Sequence, residues 1–263
     1  MRINRYLSLC GLASRRDSEQ FILDGRIRVN GTVLQDLSYR VREGDLVECD
    51  GRPLKPVLDY RYYSFHKPRY VLSSHSDPHH DRFIYDYLPK DRMLFSAGRL
   101  DYDSEGLMVI SDDGEFINRL AHPSREVEKE YVVLLDRPVE AAILAPLSEG
   151  VNYRGEFYQI NQVSYLQKGD FSLEKVLPDW KEEDYEPNRL LRICIHEGKK
   201  REVKRIFESI GFHVIRLIRV RIGGLTLGSL PAGQYCEFSK AEITSLIEPA
   251  VSRQRRKGRD EDE

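Results

Sequence analysis

The chain is 263 residues long, 40% of them apolar and 32% charged, which is too long for one small module and predicts a small domain joined to a larger one. No uncharged apolar run approaches the roughly 18 residues of a membrane span, and the first residues lack the form of a signal peptide, so we expect a soluble cytoplasmic protein. The net charge of −2 does not favour a general polyanion binder, and the four scattered cysteines form no C-x-x-C motif for zinc or redox chemistry.

The first fifty residues carry the pattern of two short helices followed by a β-hairpin. Apolar residues at helical spacing occupy 3–10, and the segment 14–17 resembles a capping box that opens the second helix. Asn30 and Gly31 suit the positive dihedral angles of a two-residue type I′ turn between alternating segments. A further turn at 44–45 precedes a strand over 46–50. This region is therefore predicted to be an α-α-β module.

Positive charge is concentrated in this module. Residues 1–30 contain six arginines against three acids, a net charge of +3, which predicts a phosphate-binding patch but leaves open a merely solvated face. Arg15 and Arg16 lie at the predicted start of the second helix, where cations oppose the helix dipole unless an external anion approaches. The pattern over 2–31 resembles the S4 RNA-binding domain, which implies structured RNA as a partner. The predicted RNA-binding residues of the module are Arg2, Arg5, Arg15, Arg16, Arg26 and Arg28.

A proline-containing segment after the module predicts the domain boundary. Residues 51–56 hold two prolines, which is typical of a stiff linker. We therefore expect an S4 domain over residues 1–50, a linker over 51–59 and a catalytic domain over 60–249. The segment 250–263 is predicted to be a disordered charged tail, and the acidic, irregular stretch 175–189 is predicted to be an inserted loop.

Three acids lie in a glycine-bounded loop in the middle of the chain. Asp101, Asp103 and Glu105 follow Arg99 and precede an apolar run, so we expect them to be exposed before a buried strand. The spacing alone leaves three chemical possibilities open: the acids cap a turn, hold a divalent metal through a D-x-D motif, or form a glycosidase pair. Arg99 disfavours the metal, and a single tryptophan, Trp180, disfavours a sugar cleft lined by tryptophan.

Further motifs surround this loop in a consistent order. They are Lys67-Pro68, residues 112–114, residues 122–124, residues 129–132, residues 197–205 and residues 219–223. Together with residues 98–107 they resemble the S4-bearing ribosomal-RNA pseudouridine synthases of the RsuA/RluB/RluE/RluF type, over roughly residues 60–240. The resemblance implies an α+β catalytic domain with a bent, mainly antiparallel sheet, and an enzyme that isomerises uridine in ribosomal RNA without a cofactor.

The resemblance also assigns catalytic roles by position. Asp101 matches the essential aspartate of the family. Tyr131 matches the active-site tyrosine, which would stack near the base and is a candidate for removing the C5 proton; without the resemblance it is an ordinary aromatic residue of a predicted strand. Lys204 matches the basic partner of the aspartate, where many relatives have arginine, and Arg205 is the alternative partner. The apolar face of the predicted helix leaves Lys204 on the flank, either at the edge of a cleft or in solvent.

A second positive patch accompanies these residues. Residues 192–221 contain nine basic residues against three acids, a net charge of +6. The resemblance gives Arg99 a part in extracting the uridine, because the reacting atoms are inaccessible inside paired RNA. The predicted RNA-binding residues of the catalytic domain are Arg99, Lys67, Lys199, Lys200, Arg201 and Arg205.

Two weaker features complete the hypothesis. Tyr70 stands where the family usually has glycine, which would alter loop shape or base contact. The histidines and aspartates of 75–81 have no spacing that makes them converge, so we expect a mobile polar loop at the cleft and no metal. We therefore expect a monomer that acts on a structured stem-loop of ribosomal RNA. The competing hypothesis is a non-catalytic S4-type RNA-binding or ribosome-assembly factor, based on the departures at Tyr70 and Lys204.

Overall fold

The computed structural model describes residues 1–13, 17–56, 59–166 and 187–247. Within these ranges the chain forms two compact units. The first consists of Met1–Tyr60 with Pro89–Leu94, and the second consists of Arg61–Leu88 with the described residues from Phe95 onward. The predictions for Arg15, Arg16, the tail 250–263 and residues 175–186 fall outside the described residues.

Two short helices and a four-stranded sheet form the first unit. Ile3 and Leu7 of the first helix and Ile22 of the second have no exposed surface and share one apolar core with Ile27 and Val47 of the sheet. Helices this short are only marginally stable by themselves, so their burial in this core is what stabilises them. The elements are α1 (Ile3–Leu9), α2 (Asp17–Leu23), β1 (Ile27–Val29), β2 (Thr32–Val33), β3 (Val47–Cys49) and β4 (Arg52–Pro53), and the sheet order is β2-β1-β3-β4.

The turn between β1 and β2 has the predicted form. Asn30 adopts φ +50° and Gly31 adopts φ +79°, and the strands that they join pair Val29 with Thr32. Positive φ at both central positions is what a type I′ turn requires, and Asn-Gly is the dipeptide that tolerates it best.

The prediction of a linker over 51–59 is wrong for its first residues. β4 pairs with β3 in antiparallel register, and the amide of Leu54 donates a 2.8 Å hydrogen bond to the carbonyl of Val47. The hydroxyl of Tyr6 donates to the carbonyl of Leu54 at 3.1 Å. The proline in β4 does not prevent pairing, because β4 is at the edge of the sheet and its missing N–H costs no ladder bond.

A large sheet forms the frame of the second unit. Its order is β11-β12-β8-β13-β7-β5-β15, with β6 also paired to β7 and β14 to β13. All neighbours are antiparallel except β13 and β7, which run parallel. The predicted α+β class with a mainly antiparallel sheet is therefore confirmed. The strands are β5 (Tyr62–Lys67), β6 (Phe95–Ser96), β7 (Glu105–Ser111), β8 (Lys129–Leu135), β11 (Gln162–Tyr165), β12 (Leu190–Ile195), β13 (Val214–Ile222), β14 (Leu225–Thr226) and β15 (Tyr235–Phe238), and a separate hairpin pairs β9 (Val151–Tyr153) with β10 (Glu156–Tyr158).

The central strands β5 and β7 are buried along their whole length. Gly106 in β7 permits the close approach of its parallel neighbour, because a Cβ there would lie 2.3 Å from the backbone oxygen of Arg219 in β13. This contact brings the end of the acidic loop against the middle of β13. A glycine at this point is therefore a packing requirement of the sheet.

Four helices of the second unit lie within the described residues. The predicted turn at 112–114 is also the start of a helix, because the carboxylate of Asp113 accepts hydrogen bonds from the amides of Glu115 and Phe116. The helix over 202–209 packs Val203, Ile206 and Phe207 inward, as its apolar spacing predicts. No helix in the described ranges is long and apolar enough to cross a membrane. The helices are α3 (Gly114–Ala121), α4 (Ala141–Leu144), α5 (Glu202–Ser209) and α6 (Lys240–Ile247), and short 3₁₀ segments cover Ile84–Tyr87, Pro123–Arg125 and Ala145–Ser148.

Candidate active site

The acidic loop is held from below by a lysine. Lys67 is the last residue of β5 and has no exposed surface. Its ammonium donates hydrogen bonds to the backbone carbonyls of Asp101 at 3.1 Å, Tyr102 at 3.4 Å and Ser104 at 2.7 Å, and to that of Pro68 at 3.0 Å. Burial lowers the pKa of Lys67 to about 7, and the nearby carboxylates of Glu105, Asp103 and Asp101 partly oppose this. The loop backbone is thus fixed by a side chain that never reaches solvent.

This position overturns the prediction that Lys67 binds RNA. A completely buried ammonium cannot contact a phosphate, and its hydrogen bonds are committed to carbonyls of its own chain. The sequence correctly predicts Lys67 on a strand before the loop. A strand prediction does not determine which groups the side-chain amine contacts.

Asp101 and Asp103 converge on Lys204. The ammonium of Lys204 lies 3.8 Å from the carboxylate of Asp101 and donates a hydrogen bond to the carboxylate of Asp103. The side chain of Lys204 is 6% exposed, against 32% for Asp101 and 44% for Asp103. Burial opposes ionisation of Asp103, but the hydrogen bond and charge of Lys204 outweigh it and hold the pKa of Asp103 below its usual value.

Lys204 is therefore a buried cation and not a solvated one. α5 presents Lys204 to the acidic loop, while Arg205 donates hydrogen bonds to Glu156 at 2.7 Å and to the hydroxyl of Tyr158 at 2.6 Å. Of the two basic residues that the sequence offered as partners for Asp101, Lys204 lies beside it and Arg205 is committed to the β10 strand.

The third acid of the loop was expected to be exposed, and this expectation is wrong. Glu105 is 3% exposed and binds the guanidinium of Arg216 through two hydrogen bonds of 2.9 and 3.1 Å. Two parallel N–H···O bonds between a carboxylate and a guanidinium form the strong bidentate arrangement, so the buried charge is compensated. Glu105 fastens β7 to β13, and it offers no carboxylate to a substrate.

Tyr131 and Arg219 face each other across two paired strands. Tyr131 in β8 is directly opposite Arg219 in β13, so both side chains are on the same face of the sheet. Arg219 is 3% exposed; its Nε donates to the carbonyl of Leu107 at 2.7 Å, whereas its Nη2 has no hydrogen-bond partner among the described residues. An uncompensated nitrogen of a buried guanidinium is costly, and such a group beside a cleft is a functional candidate.

Asp101, Tyr131 and Arg219 line one cleft of about 850 Å³ within the second unit. Residues from the acidic loop, from β8 and β13, and from the segment that precedes α5 form its walls. The cleft is large enough for a nucleotide that has been turned out of an RNA helix. Its lining includes Arg99, Asp101, Tyr102, Ser104, Lys129, Tyr131, Lys199, Lys200, Arg201 and Arg219.

A half-buried lysine supports the basic wall of the cleft. Lys129 donates hydrogen bonds to the carbonyls of Val127 at 3.0 Å, His196 at 3.1 Å and Glu197 at 3.2 Å. Burial lowers its pKa to about 8, and the positive charge of Arg219 acts in the same direction. Glu202 lies under the same segment, and its carboxylate accepts a 3.0 Å hydrogen bond from the amide of Lys199. Burial raises the pKa of Glu202 to about 6.

The predicted RNA-binding cations of this unit differ in availability. Arg99 and Lys200 are exposed at the cleft, and neither has an ion pair or hydrogen bond to another described residue. Lys199 forms a 2.5 Å ion pair with Glu197, and Arg201 approaches Glu208 at 3.5 Å. The positive rim therefore combines free cations with cations that are already partly neutralised.

The arginines of the first unit differ in the same way. Arg26 forms a bidentate ion pair with Asp50, with the shortest contact at 2.5 Å, and its guanidinium lies 4.4 Å from the centre of the Phe21 ring. Arg28 is exposed and donates a hydrogen bond to the carbonyl of Gly31. Arg2 is exposed and Arg5 is half-buried. Their predicted contacts with RNA stay predictions.

The histidines of the loop over 75–81 contact an aromatic ring and a carboxylate. His75 stacks on Tyr85 with ring centroids 3.7 Å apart, and His80 lies 2.8 Å from the carboxylate of Asp77. Across the ranges that the structure describes, no three His, Cys, Asp or Glu side chains are grouped so as to hold a metal ion. Asp77 is one of the residues at the edge of the cleft.

Sequence reasoning missed the roles of Lys67, Lys129 and Arg219 in this site. The only available signal was their presence in the motif segments, which says nothing about burial. Lysines and arginines are so often exposed that a sequence gives a poor indication of the few that are buried.

Comparison with known proteins identifies the two parts of the chain separately. Residues 61–209 match the family model described as RNA pseudouridylate synthase, and residues 1–47 match the S4 domain. The first match covers all three of Asp101, Tyr131 and Lys204.

Individual relatives are similar along almost the whole chain. An RNA pseudouridine synthase of Aquifex aeolicus is 36% identical over 94% of each chain. The ribosomal small subunit pseudouridine synthase A of Pseudomonas aeruginosa is 33% identical over 94% of this chain and 100% of its own length, and the ribosomal large subunit pseudouridine synthase B of Bacillus subtilis is 30% identical over 93% and 95%. A crystal structure of a pseudouridylate synthase has a TM-score of 0.63 at 26% identity, covering 94% of this chain and 100% of that one.

Proposed function

The chain belongs to the RNA pseudouridylate synthase family, and from that premise we propose that it isomerises a specific uridine of ribosomal RNA to pseudouridine through the carboxylate of Asp101, without a cofactor. One observation carries the proposal: Asp101 lies in a cation-rimmed cleft with the ammonium of Lys204 at 3.8 Å and with Tyr131 in the same lining. Ribosomal RNA is the proposed substrate because relatives that are 30% and 33% identical are named for the ribosomal subunits.

The chemistry needs no external reagent. The bond between uracil N1 and C1′ of the ribose breaks, the base turns within the cleft, C5 bonds to C1′, the C5 proton leaves and N1 takes up a proton. The formal reduction at C1′ is balanced by the formal oxidation at C5 of the same nucleotide, so the isomerisation requires no external oxidant or reductant. The protein must hold a base that is detached from its sugar and must supply a carboxylate and a proton acceptor.

Asp101 has the position to supply the carboxylate. It is one-third exposed within the cleft, and Lys204 supplies a positive charge beside it. The carboxylate can add covalently to the substrate, remove a sugar proton, or stabilise a cationic sugar, and the geometry is compatible with all three routes. Asp103 accepts the direct hydrogen bond from Lys204 and so orients the ammonium for its neighbour.

Tyr131 and Arg99 have the remaining roles in this proposal. Tyr131 stands on a central strand and would stack on the uracil and accept the C5 proton. Arg99 is exposed at the cleft and would fill the space that the extracted uridine leaves in the RNA helix.

The decisive experiment replaces one carboxylate at a time. Asp101→Asn keeps the shape of the side chain, so we expect it to bind ribosomal RNA nearly as well as the wild type while tritium release from RNA labelled at uracil C5 stops. Asp103→Asn is the matched control, because it weakens the orientation of Lys204 but keeps the carboxylate of Asp101. We expect the rate of tritium release to fall roughly tenfold, which corresponds to the free energy of one lost charge-assisted hydrogen bond.

Two outcomes would contradict the proposal. Release at the wild-type rate by Asp101→Asn would show that another group performs the chemistry. A wild-type protein that binds ribosomal RNA but releases no tritium under single-turnover conditions would support a non-catalytic RNA-binding or ribosome-assembly factor.

A further inference from the structure

We propose that Tyr70 and Tyr102 form a stacking site for an unpaired nucleobase of the RNA next to the target uridine. The inference rests on the proposed function, because it extends the substrate from one nucleotide to two. The two tyrosines, together with Arg69 and His80, are called the aromatic platform below. The platform belongs to the second unit and adjoins the cleft, since Tyr102 is one of the residues that line it.

The platform exposes an unusual amount of aromatic surface. Tyr70 is 51% exposed and Tyr102 is 39% exposed, and their ring centroids are 5.6 Å apart at an interplanar angle of 60°. Large apolar rings that are exposed together, and not singly, mark interaction sites. Every nucleobase has a flat face that can stack on a tyrosine, so a pair of half-exposed rings beside an RNA-modifying cleft fits this class of ligand.

An arginine and a histidine flank the two rings. The guanidinium of Arg69 lies 5.0 Å from the centre of the Tyr70 ring, and the ring of His80 lies 4.7 Å from that of Tyr102. A nucleobase that stacks on tyrosine carries a phosphate group nearby. A cation at this distance from the ring can bind that phosphate. The chemistry of the platform therefore matches a nucleotide better than an uncharged ring compound.

The backbone that carries the two rings is held in place before any RNA binds. The amide of Tyr70 donates a 2.7 Å hydrogen bond to the carbonyl of Tyr102, and Lys67 donates to the carbonyls of both Pro68 and Tyr102. The same lysine binds the carbonyl of Asp101, so one anchor sets the position of the catalytic carboxylate and of the platform. A preformed site loses little conformational entropy when it binds.

The backbone of Tyr70 gives an independent indication. Tyr70 adopts φ +59°, a left-handed conformation that glycine tolerates freely and that a bulky side chain disfavours. A tyrosine at such a position, where it is half-exposed and contributes little to the core, is explained if its ring contacts a ligand. The substitution of glycine should consequently relax the backbone and remove the ring in a single step.

The test compares Tyr70→Gly and Tyr102→Ala with the wild type on transcripts of 16S and 23S ribosomal RNA that carry tritium at uracil C5. Loss of one stacked base should raise KM by about five- to a hundredfold, with kcat affected less. Tyr70→Phe should restore the low KM because it keeps the ring. Tyr235→Ala is the matched control, since Tyr235 is 40% exposed and packs on Tyr63 in another part of the unit.

Thermal unfolding separates a contact effect from a folding effect. Tyr70→Gly should unfold at the same temperature as the wild type or higher, because the left-handed backbone suits glycine. A stable Tyr70→Gly protein with wild-type KM would overturn the inference, as would an equal increase of KM in Tyr235→Ala.

A binding readout keeps this inference distinct from the proposed function. Ultraviolet irradiation of the wild-type protein on the same transcripts, followed by mass spectrometry, should find nucleotide adducts on the peptides that contain Tyr70 or Tyr102. If no transcript releases tritium, the proposed function fails, and adducts on these peptides would still support the platform. The absence of adducts on both peptides, in a sample in which other peptides of the chain are crosslinked, would overturn it.

Discussion

Lys67 is buried and Lys129 is half-buried, each at the end of a β-strand, and each donates hydrogen bonds to several backbone carbonyls of a loop that lines the cleft. They differ in their electrostatic surroundings. Lys67 lies near the carboxylates of the acidic loop, which favour its charge, whereas Lys129 lies near the cation Arg219, which disfavours it. Both lysines hold a loop through hydrogen bonds to backbone carbonyls. The loop held by Lys67 contains the proposed catalytic carboxylate, whereas the loop held by Lys129 contains basic residues.

The comparison predicts that losing the two anchors has different consequences. The Lys67 loop contains Asp101, so its displacement should slow the chemical step. The Lys129 loop contains Lys199 and Lys200, so its displacement should weaken the capture of RNA. The hydrogen bonds of Lys67 to Asp101 and Ser104 are partly or fully buried, whereas that of Lys129 to Glu197 is exposed, and an unsatisfied acceptor costs more when it is buried.

The largest effect is expected from Lys67→Met. Methionine fills a similar volume but leaves the carbonyls of Asp101 and Ser104 without their donor, so the free energy of unfolding in urea should fall by about 3 kcal/mol. We expect kcat for tritium release to fall by at least about a hundredfold, because a displacement of about 1 Å at the carboxylate is enough for that. Lys200→Met, at an exposed lysine, is the control for stability. A Lys67→Met protein with normal kcat would remove the distinction between the two anchors.

A smaller effect is expected from Lys129→Met. Loss of its three hydrogen bonds should lower the free energy of unfolding by about 2 kcal/mol, and the basic loop should become less well positioned. We expect KM for ribosomal RNA to rise by about tenfold while kcat changes by less than threefold. The opposite division, a large loss of kcat with constant KM, would indicate that Lys129 acts on the chemical step and that the two lysines are equivalent.

The smallest effect is expected from Glu202→Gln, which removes a negative charge near Lys129. The folded-state pKa of Glu202 is about 6, above the 4.5 of an ordinary glutamate, so the folded protein binds the proton more tightly than the unfolded chain. Its contribution to stability is therefore complete below pH 4.5 and is lost as the pH rises through 6. Glutamine keeps the acceptor for the Lys199 amide, so at pH 8 the variant should be more stable by up to about 2 kcal/mol.

Urea unfolding at pH 4 and at pH 8 measures this difference. The variant and the wild type should have the same stability at the lower pH and separate at the higher one. A variant that is less stable than the wild type at pH 8 would mean that the buried carboxylate is needed in its charged form to support Lys129.

Many local elements of this fold were predictable because they depend on neighbours in the chain. The Asn30-Gly31 turn, the first helix, the strand over 129–135 and the apolar face of α5 all follow from periodicity and backbone preference. The position of Asp101 followed from a motif, since motif spacing records which residues share a loop. The predicted linker failed because pairing of Arg52–Pro53 with β3 is a contact that no local pattern announces.

The site itself divides along the same line. The sequence by itself determined that an acidic loop, a tyrosine strand and a basic helix occur in the order typical of pseudouridine synthases. Only the tertiary structure decided that Lys67 is an interior anchor and that Lys204, and not Arg205, lies beside Asp101. It also decided that the carboxylate of Glu105 forms an ion pair with Arg216, a partner 111 residues away. The physical reason is that charge is a property of a residue type, whereas burial and pairing depend on which distant segments the fold brings together.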